Sequence, residues 1–195
     1  VKELFACPKY CACFNFSMYC QGIQLDHIPL QTVEGLKEFV VEKSSIQIIK
    51  NRDFQKLFFL IELHLDSNEI VHIEDHAFSD LINLKVLNLS NNRLFNISDN
   101  IFRYLISLKE MNLNQNNLIN IDGAISFMAN LHVIRLSHNK IKTISNRSFY
   151  GNSNVSILDL SWNNLTKIAP DSFVRMTSLN VLLLNNNPII ELDID

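Results

Sequence analysis

After Cys20 the chain contains no cysteine, and it holds a single tryptophan in 195 residues. It has no apolar run long enough to cross a bilayer, since stretches such as 57–61 fall far short of the roughly 20 residues a spanning helix needs. There is no block of like charge and the net charge is −3, which argues against the basic footprint of a nucleic-acid binder. The motifs G-x-S-x-G and H-E-x-x-H and a glycine-rich phosphate loop are all absent. The hydrolase, metalloprotease and nucleotide-binding chemistries that those motifs serve therefore have no foothold. The expectation is a protein that is not an enzyme, with no catalytic residues, cofactor or metal. Val1, Lys2 and Glu3 are not the start of a secretory leader, so the chain reads as a mature or trimmed form. An apolar content of 47% is nonetheless that of a protein with a packed core.

What the chain does have is asparagine at a fixed period. Asn68, Asn92, Asn116, Asn139, Asn163 and Asn187 follow one another at intervals of 24, 24, 23, 24 and 24 residues. Each occupies the same place in a recurring phrase, such as LIELHLDSNEI at 60–70 or LKVLNLSNNRL at 84–94. A period in the twenties is the signature of a solenoid, in which each coil buries its apolar face against the next. Within the phrase, Leu-x-Leu is strand alternation, with one face turned to the core. The chain must turn sharply after so short a strand, and the turn leaves inward backbone groups in need of partners. An asparagine offers both an acceptor and a donor, which aspartate and leucine do not.

The four cysteines, Cys7, Cys11, Cys13 and Cys20, suit two disulfides or a four-thiolate zinc site. The gap between Cys11 and Cys13 is tighter than that of a usual zinc-ligand pair. Disulfides are favoured, and with them an oxidising compartment.

Taken together, these residues resemble the extracellular leucine-rich repeat proteins of the typical 24-residue kind. That family includes Toll-type receptors, Slit-type guidance factors, neuronal adhesion receptors and matrix proteoglycans. The repeat phrase carries the resemblance over most of the chain. At the amino end, the spacing C-x3-C-x-C-x6-C followed by Leu25, Ile28 and Pro29 resembles the family's flanking module. The resemblance implies an α/β solenoid, mostly strand and loop: a right-handed horseshoe with a parallel β-sheet on its concave face and a disulfide cap at its N-terminal end. It also implies the pairing of first with third and second with fourth cysteine, Cys7 with Cys13 and Cys11 with Cys20.

On this reading residues 1–35 are the cap. Six full repeats follow at 36–59, 60–83, 84–107, 108–130, 131–154 and 155–178, and a partial one at 179–195. The first is irregular, with Ser44 in the asparagine place and Phe39 and Val41 for the strand leucines. Phe54, Phe78, Phe102, Phe149 and Phe173 are expected to stack as a spine, beside a column of Ile49, Ile73, Ile97, Ile121, Ile144 and Ile168. The fourth repeat is one residue short, so Ile125 takes the spine position, Met128 the next core position, and Phe127 is left pointing outward. No cysteine cluster follows Asn187 and Pro188, which reads as a fragment whose natural chain continues; an open, self-associating end is the alternative.

Histidines supply no convincing chemistry. His72 and His76 are expected in a solvated segment, and His64 and Asp66 share a strand face without a nucleophile. His132 and His138 flank a strand, where they give binding a pH dependence if a partner covers them. Six N-x-S/T sequons, at Asn15, Asn88, Asn96, Asn146, Asn154 and Asn164, become glycosylation candidates in a secreted chain, with about half expected to be used. Function is expected from the outward strand positions, which vary while the core positions repeat. His64, Asn112, Arg135, His138, Asp159 and Trp162 form the expected contact patch on the concave surface, the usual binding surface of a solenoid. The only tryptophan lies at its edge, and tryptophan and arginine are enriched among interface hot spots. The chain is expected to be an extracellular recognition module, the ligand-binding or adhesion ectodomain of a cell-surface receptor. Its partner is expected to be a protein, with a glycan or microbial ligand as the variant of an innate immune receptor, no nucleic acid, and a dimer as one state. A secreted matrix protein is the alternative.

Overall fold

The computed structural model describes residues 7–29 and 35–192. The parts of the expected cap at 1–6 and 30–34, and the last three residues, 193–195, lie outside the described residues. The amino end is a hairpin of β1 (Cys11–Phe14) and β2 (Ser17–Gly22). From there the chain alternates between two sides. One side carries β3 (Glu38–Ser44), β5 (Glu62–His64), β7 (Val86–Asn88), β8 (Glu110–Asn112), β9 (Val133–Arg135), β11 (Ile157–Asp159) and β13 (Val181–Leu183). The other carries the two-residue strands β4 (Ile48–Ile49), β6 (His72–Ile73), β10 (Thr143–Ile144), β12 (Lys167–Ile168) and β14 (Glu191–Leu192). The first set joins β1 and β2 in one nine-stranded sheet, parallel throughout except for the β1–β2 hairpin. This sheet lines the concave face of a β-solenoid.

The strands are short because only Leu-x-Leu is available to form them. In β5, β7, β9 and β11 the central side chain is buried and its two neighbours face out, the period-two pattern of a half-buried strand. The asparagine ladder then closes each coil. The Nδ2 of Asn92 donates to the Leu65 carbonyl at 2.9 Å, and that of Asn116 to the Leu89 carbonyl at 3.0 Å. In return Asn92 Oδ1 accepts from Ile70 N–H and Asn116 Oδ1 from Leu94 N–H, each at 3.0 Å. Asn139, Asn163 and Asn187 repeat both contacts. The exception is Asn68, whose Oδ1 is buried without a partner beside the irregular first repeat.

The architecture is the parallel-sheet solenoid expected, mostly strand and loop, and no helix forms among the described residues. On the far side the chain runs in turns closed by bonds such as Leu81 N–H to Phe78 O at 3.1 Å and Leu105 N–H to Phe102 O at 3.0 Å. These turns span about one or two helical turns, too little to recover the cost of nucleating a helix. The phenylalanine spine forms beneath them. Phe54 stacks on Phe78 at 5.7 Å between ring centroids, Phe78 on Phe102 at 6.2 Å, and Phe149 on Phe173 at 5.9 Å. The spine breaks at the short repeat, where Ile125 is fully buried and Phe127 is 82% exposed.

The missing residue is absorbed entirely on the far side. Leu87 pairs with Met111, and Met111 with Ile134, without a shift in sheet register. The turns of the short coil are instead drawn against the next coil. Asn152, fully buried, donates to the carbonyls of Ile125 at 3.0 Å and Met128 at 3.2 Å. It stands in a column otherwise made of Leu57, Leu81, Leu105, Met128 and Met176. At the amino end, disulfides join Cys7 to Cys13 and Cys11 to Cys20, and no cysteine is free. Met18 and Cys20 are buried there against the start of the core.

Candidate functional site

Four outward columns cross the concave sheet. The first runs through Glu38, Glu62, Val86, Glu110, Val133, Ile157 and Val181, neighbours by strand register. The second holds Val40, His64, Asn88, Asn112, Arg135, Asp159 and Leu183. A third starts at Glu42 and Asp66. The fourth is Lys43, Ser67, Asn91, Gln115, His138, Trp162 and Asn186, and every one of these residues has a positive φ, between 51° and 58°. This is the left-handed turn that ends each strand, a conformation that asparagine and histidine tolerate and a bulky tryptophan does not favour.

Trp162 therefore occupies a position whose backbone does not suit so large a ring, whereas histidine, like asparagine, tolerates it at 138. The two rings stack at 5.2 Å and 9°, with Trp162 52% exposed. Beneath them the His138 N–H donates to Ser161 O at 3.1 Å and the Trp162 N–H to Asn185 O at 2.9 Å. The stack is thus carried on the turn backbone rather than on a mobile loop. Asp159 pairs in register with Arg135, and the Arg135 guanidinium lies 3.6 Å from the Glu110 carboxylate. One Asp159 oxygen is engaged, accepting from the Ser161 N–H at 3.0 Å and its hydroxyl at 2.6 Å. Asn112 is engaged in the same way by the Asn114 N–H at 3.1 Å.

The expected patch is therefore brought together in part. Asn112, Arg135, Asp159, His138 and Trp162 sit on β8, β9, β11 and the turns that follow. His64 does not join them: it lies on β5, three strands away from β9 and so roughly 14 Å off at the usual strand spacing. It faces Glu62 at 3.4 Å instead. The first outward column was not recognised from the sequence, although alternation either side of Phe39 and Leu63 points to Glu38 and Glu62. Glu38, Glu62 and His64 bring their donor atoms within 4.8 Å of one another, the one such metal-ligating group among the described residues. Glu38 is already held by the Ser17 hydroxyl at 2.9 Å and the Tyr19 hydroxyl at 2.5 Å. That hydrogen bond, with some burial, pushes the Tyr19 phenol above its ordinary value.

The remaining histidines are surface groups. His72, His76, His132 and His138 are all exposed, and Nδ1 of the His132 ring meets the Asn130 carbonyl at 2.7 Å. The sequons divide by the state of the amide. Asn15, Asn96, Asn146 and Asn164 are exposed. The Asn88 amide donates to Asp66 at 2.9 Å on the concave face, and the Asn154 amide to the Ala129 carbonyl of the preceding coil at 2.9 Å.

Comparison with known proteins adds four findings. The family described as "Leucine rich repeat" matches residues 59–118, 82–141 and 129–189, which together cover two thirds of the chain. Among solved structures the chain is similar to TLR13 in a TLR13–ssRNA13 complex, with 31% identity and a TM-score of 0.77 over 80% of this chain and 22% of that one. It has the fold of an LRR protein of Leptospira interrogans, at 23% identity and a TM-score of 0.73, over 84% of this chain and 42% of that one. The chain thus spans less than half of either structure. No curated protein matches it in sequence.

Proposed function

The chain belongs to the leucine-rich repeat family, and from that premise we infer that it is the ligand-recognition part of an extracellular receptor of the typical, disulfide-capped kind. Its ligand is a protein held on the concave face around Trp162. One observation carries the reading: Trp162 keeps the chain's one indole on a left-handed turn where asparagine would fit better, stacked on His138 and half exposed. Residues held in strained backbone cluster at functional sites, and tryptophan is enriched among interface hot spots. Around them Asp159 and the Arg135–Glu110 pair supply polar edges, and Val133 and Ile157 an apolar floor. This mixture suits a protein surface better than an enclosed small-molecule pocket.

The likeness to TLR13 favours innate immune recognition over a matrix role as the setting. That structure holds ssRNA13, so single-stranded RNA is the competing ligand class. Here the column of Glu38, Glu62 and Glu110 would repel a phosphate backbone, whose binding rests on cationic side chains. The test is a screen of purified extracellular proteins, followed by affinity measurements on variants of this chain. Trp162→Asn should weaken the partner found by at least about 30-fold, a loss of about 2 kcal/mol, while the melting temperature stays within a few degrees. Arg135→Ala should weaken it less. Full affinity in both variants sinks the patch, and salt-sensitive binding of a labelled single-stranded RNA would replace the protein reading.

In a secreted protein the glycans belong on Asn15, Asn96, Asn146 and Asn164. A sugar on Asn154 would have to displace the amide from the neighbouring coil, and one on Asn88 would sit inside the recognition face. Glycopeptide mass spectrometry of protein made through the secretory route checks this. Occupancy at Asn88 or Asn154 equal to that at Asn96 would contradict it.

A further inference from the structure

The outward Phe127 of the short repeat does not stand alone. Phe58, Ile82 and Ile106 occupy one column, 24 residues apart, on the flank where each coil returns to its strand. They are 44%, 42% and 64% exposed, and Phe59 beside them is 63% exposed. Together with Phe127 they form an apolar stripe along the first four coils. Stripes of this kind on a soluble protein mark contact surfaces. None of the six sequons falls within it.

The stripe ends in a groove of about 650 Å³ at the short repeat. Its walls include Phe102, Leu105, Ala124 and Met128, with Ile106 and Phe127 at its mouth. The groove has a local cause: Ile125 and Ala124 fill less of the spine than the phenylalanine of a full-length coil. The deletion therefore creates a hollow and a protruding ring side by side. Asp99 and Arg103 line the same groove, and neither forms an ion pair with any described residue.

We propose that this flank binds a second copy of the chain, in a two-fold contact that seats each Phe127 in the groove of the other. A knob beside its own hole is complementary to itself under a two-fold axis, and only under such an operation does one patch serve both partners. The charges obey the same operation. A rim carrying one acid and one base sets Asp99 of each copy against Arg103 of the other, so two ion pairs form where two like copies meet. The contact lies away from the concave sheet and leaves Trp162 open.

The test is sedimentation velocity on the purified chain, with melting curves to confirm that each exposed-site variant is folded. The wild type should dimerise at concentrations on the order of 100 µM or below, the range of a small interface. Phe127→Asp should weaken that dimer at least about 10-fold. Asp99→Arg alone and Arg103→Asp alone should each be monomeric, because each gives a rim of one sign. Mixed in equal amounts, the two variants should pair with one another, since a wholly basic rim then meets a wholly acidic one and both ion pairs are restored. A wild type that remains monomeric, a dimer indifferent to Phe127→Asp, or charge variants that fail to recombine would each overturn the proposal.

Discussion

Asn116→Leu is expected to lower the free energy of unfolding by about 3–5 kcal/mol, measured by chemical denaturation. The size follows from counting what the side chain satisfies. Leu94 N–H is bonded to Asn116 Oδ1 at 3.0 Å, and leucine leaves that buried donor with nothing. The carbonyls of Leu89 and Leu113 accept from Asn116 at 3.0 and 3.2 Å. Each also accepts from a neighbouring rung, Leu89 from Asn92 at 3.1 Å and Leu113 from Asn139 at 2.9 Å. One rung removed therefore costs a complete orphan and weakens two shared carbonyls, with buried unpaired groups worth about 1–3 kcal/mol each. Leucine adds apolar volume that the site does not need. A variant as stable as the wild type would mean that the ladder is decoration. Because the rungs share acceptors, a double variant at Asn92 and Asn116 should lose a different amount from the sum of the singles, as contacting residues do.

The sharing explains how much of the fold could be read from the chain and where reading stopped. Column membership is a property of period alone, so the leucine, isoleucine and phenylalanine columns and the ladder were all legible before any coordinate. So was the outward throw of Phe127, which needs only a one-residue deficit and a core that must stay filled. The disulfide partners came from resemblance to a flanking module rather than from spacing. The solenoid was expected to be mostly strand and loop, and it is; on the far side the turns are too short to nucleate a helix. On the concave face three of the four outward columns were legible, the column of Glu38 and Glu62 was missed, and the geometry within the columns was not legible. That His138 and Trp162 are neighbours follows from their spacing. That they stack on left-handed backbone depends on the turn that the ladder imposes, and nothing in the identity of either residue announces it. The separation of His64 from the rest of the patch, by contrast, was legible, because the period places it three repeats before Arg135.

The division of labour is physical. Inward residues meet identical neighbours above and below, so one solution repeats. Outward residues meet solvent or a partner, and the scaffold leaves them to differ. The fourth-column turns show both demands on the same backbone: Asn91 and Asn186 suit the conformation, and Trp162 is kept in spite of it.

Gly151→Ala is the second large effect expected, a loss of about 3 kcal/mol for the gain of one methyl group. The repeat pattern suggests the opposite. At the corresponding place the other coils carry Lys56, Asp80, Tyr104, Phe127 and Arg175, all with a β-carbon and more, so a side chain at 151 should be harmless. The short repeat reverses that. With one residue fewer, its turn is drawn onto the next coil, and a β-carbon on Gly151 would collide with the Ser126 carbonyl. The obstacle is backbone, which cannot swing aside as a side-chain tip can. Nor can the two coils separate cheaply, because Asn152 ties the Ile125 and Met128 carbonyls at 3.0 and 3.2 Å and the Ser126 hydroxyl donates to the Arg147 carbonyl at 2.9 Å. Relief must come from shifting this junction or from breaking those bonds. Arg175→Ala, at the matching site of the next coil, should change stability by less than about 1 kcal/mol, as exposed substitutions do. Thermal melts of the two variants side by side decide the matter. Equal effects would mean that the deficit of the fourth repeat is spread along the solenoid, whereas a loss confined to Gly151→Ala locates it in the contact between coils four and five.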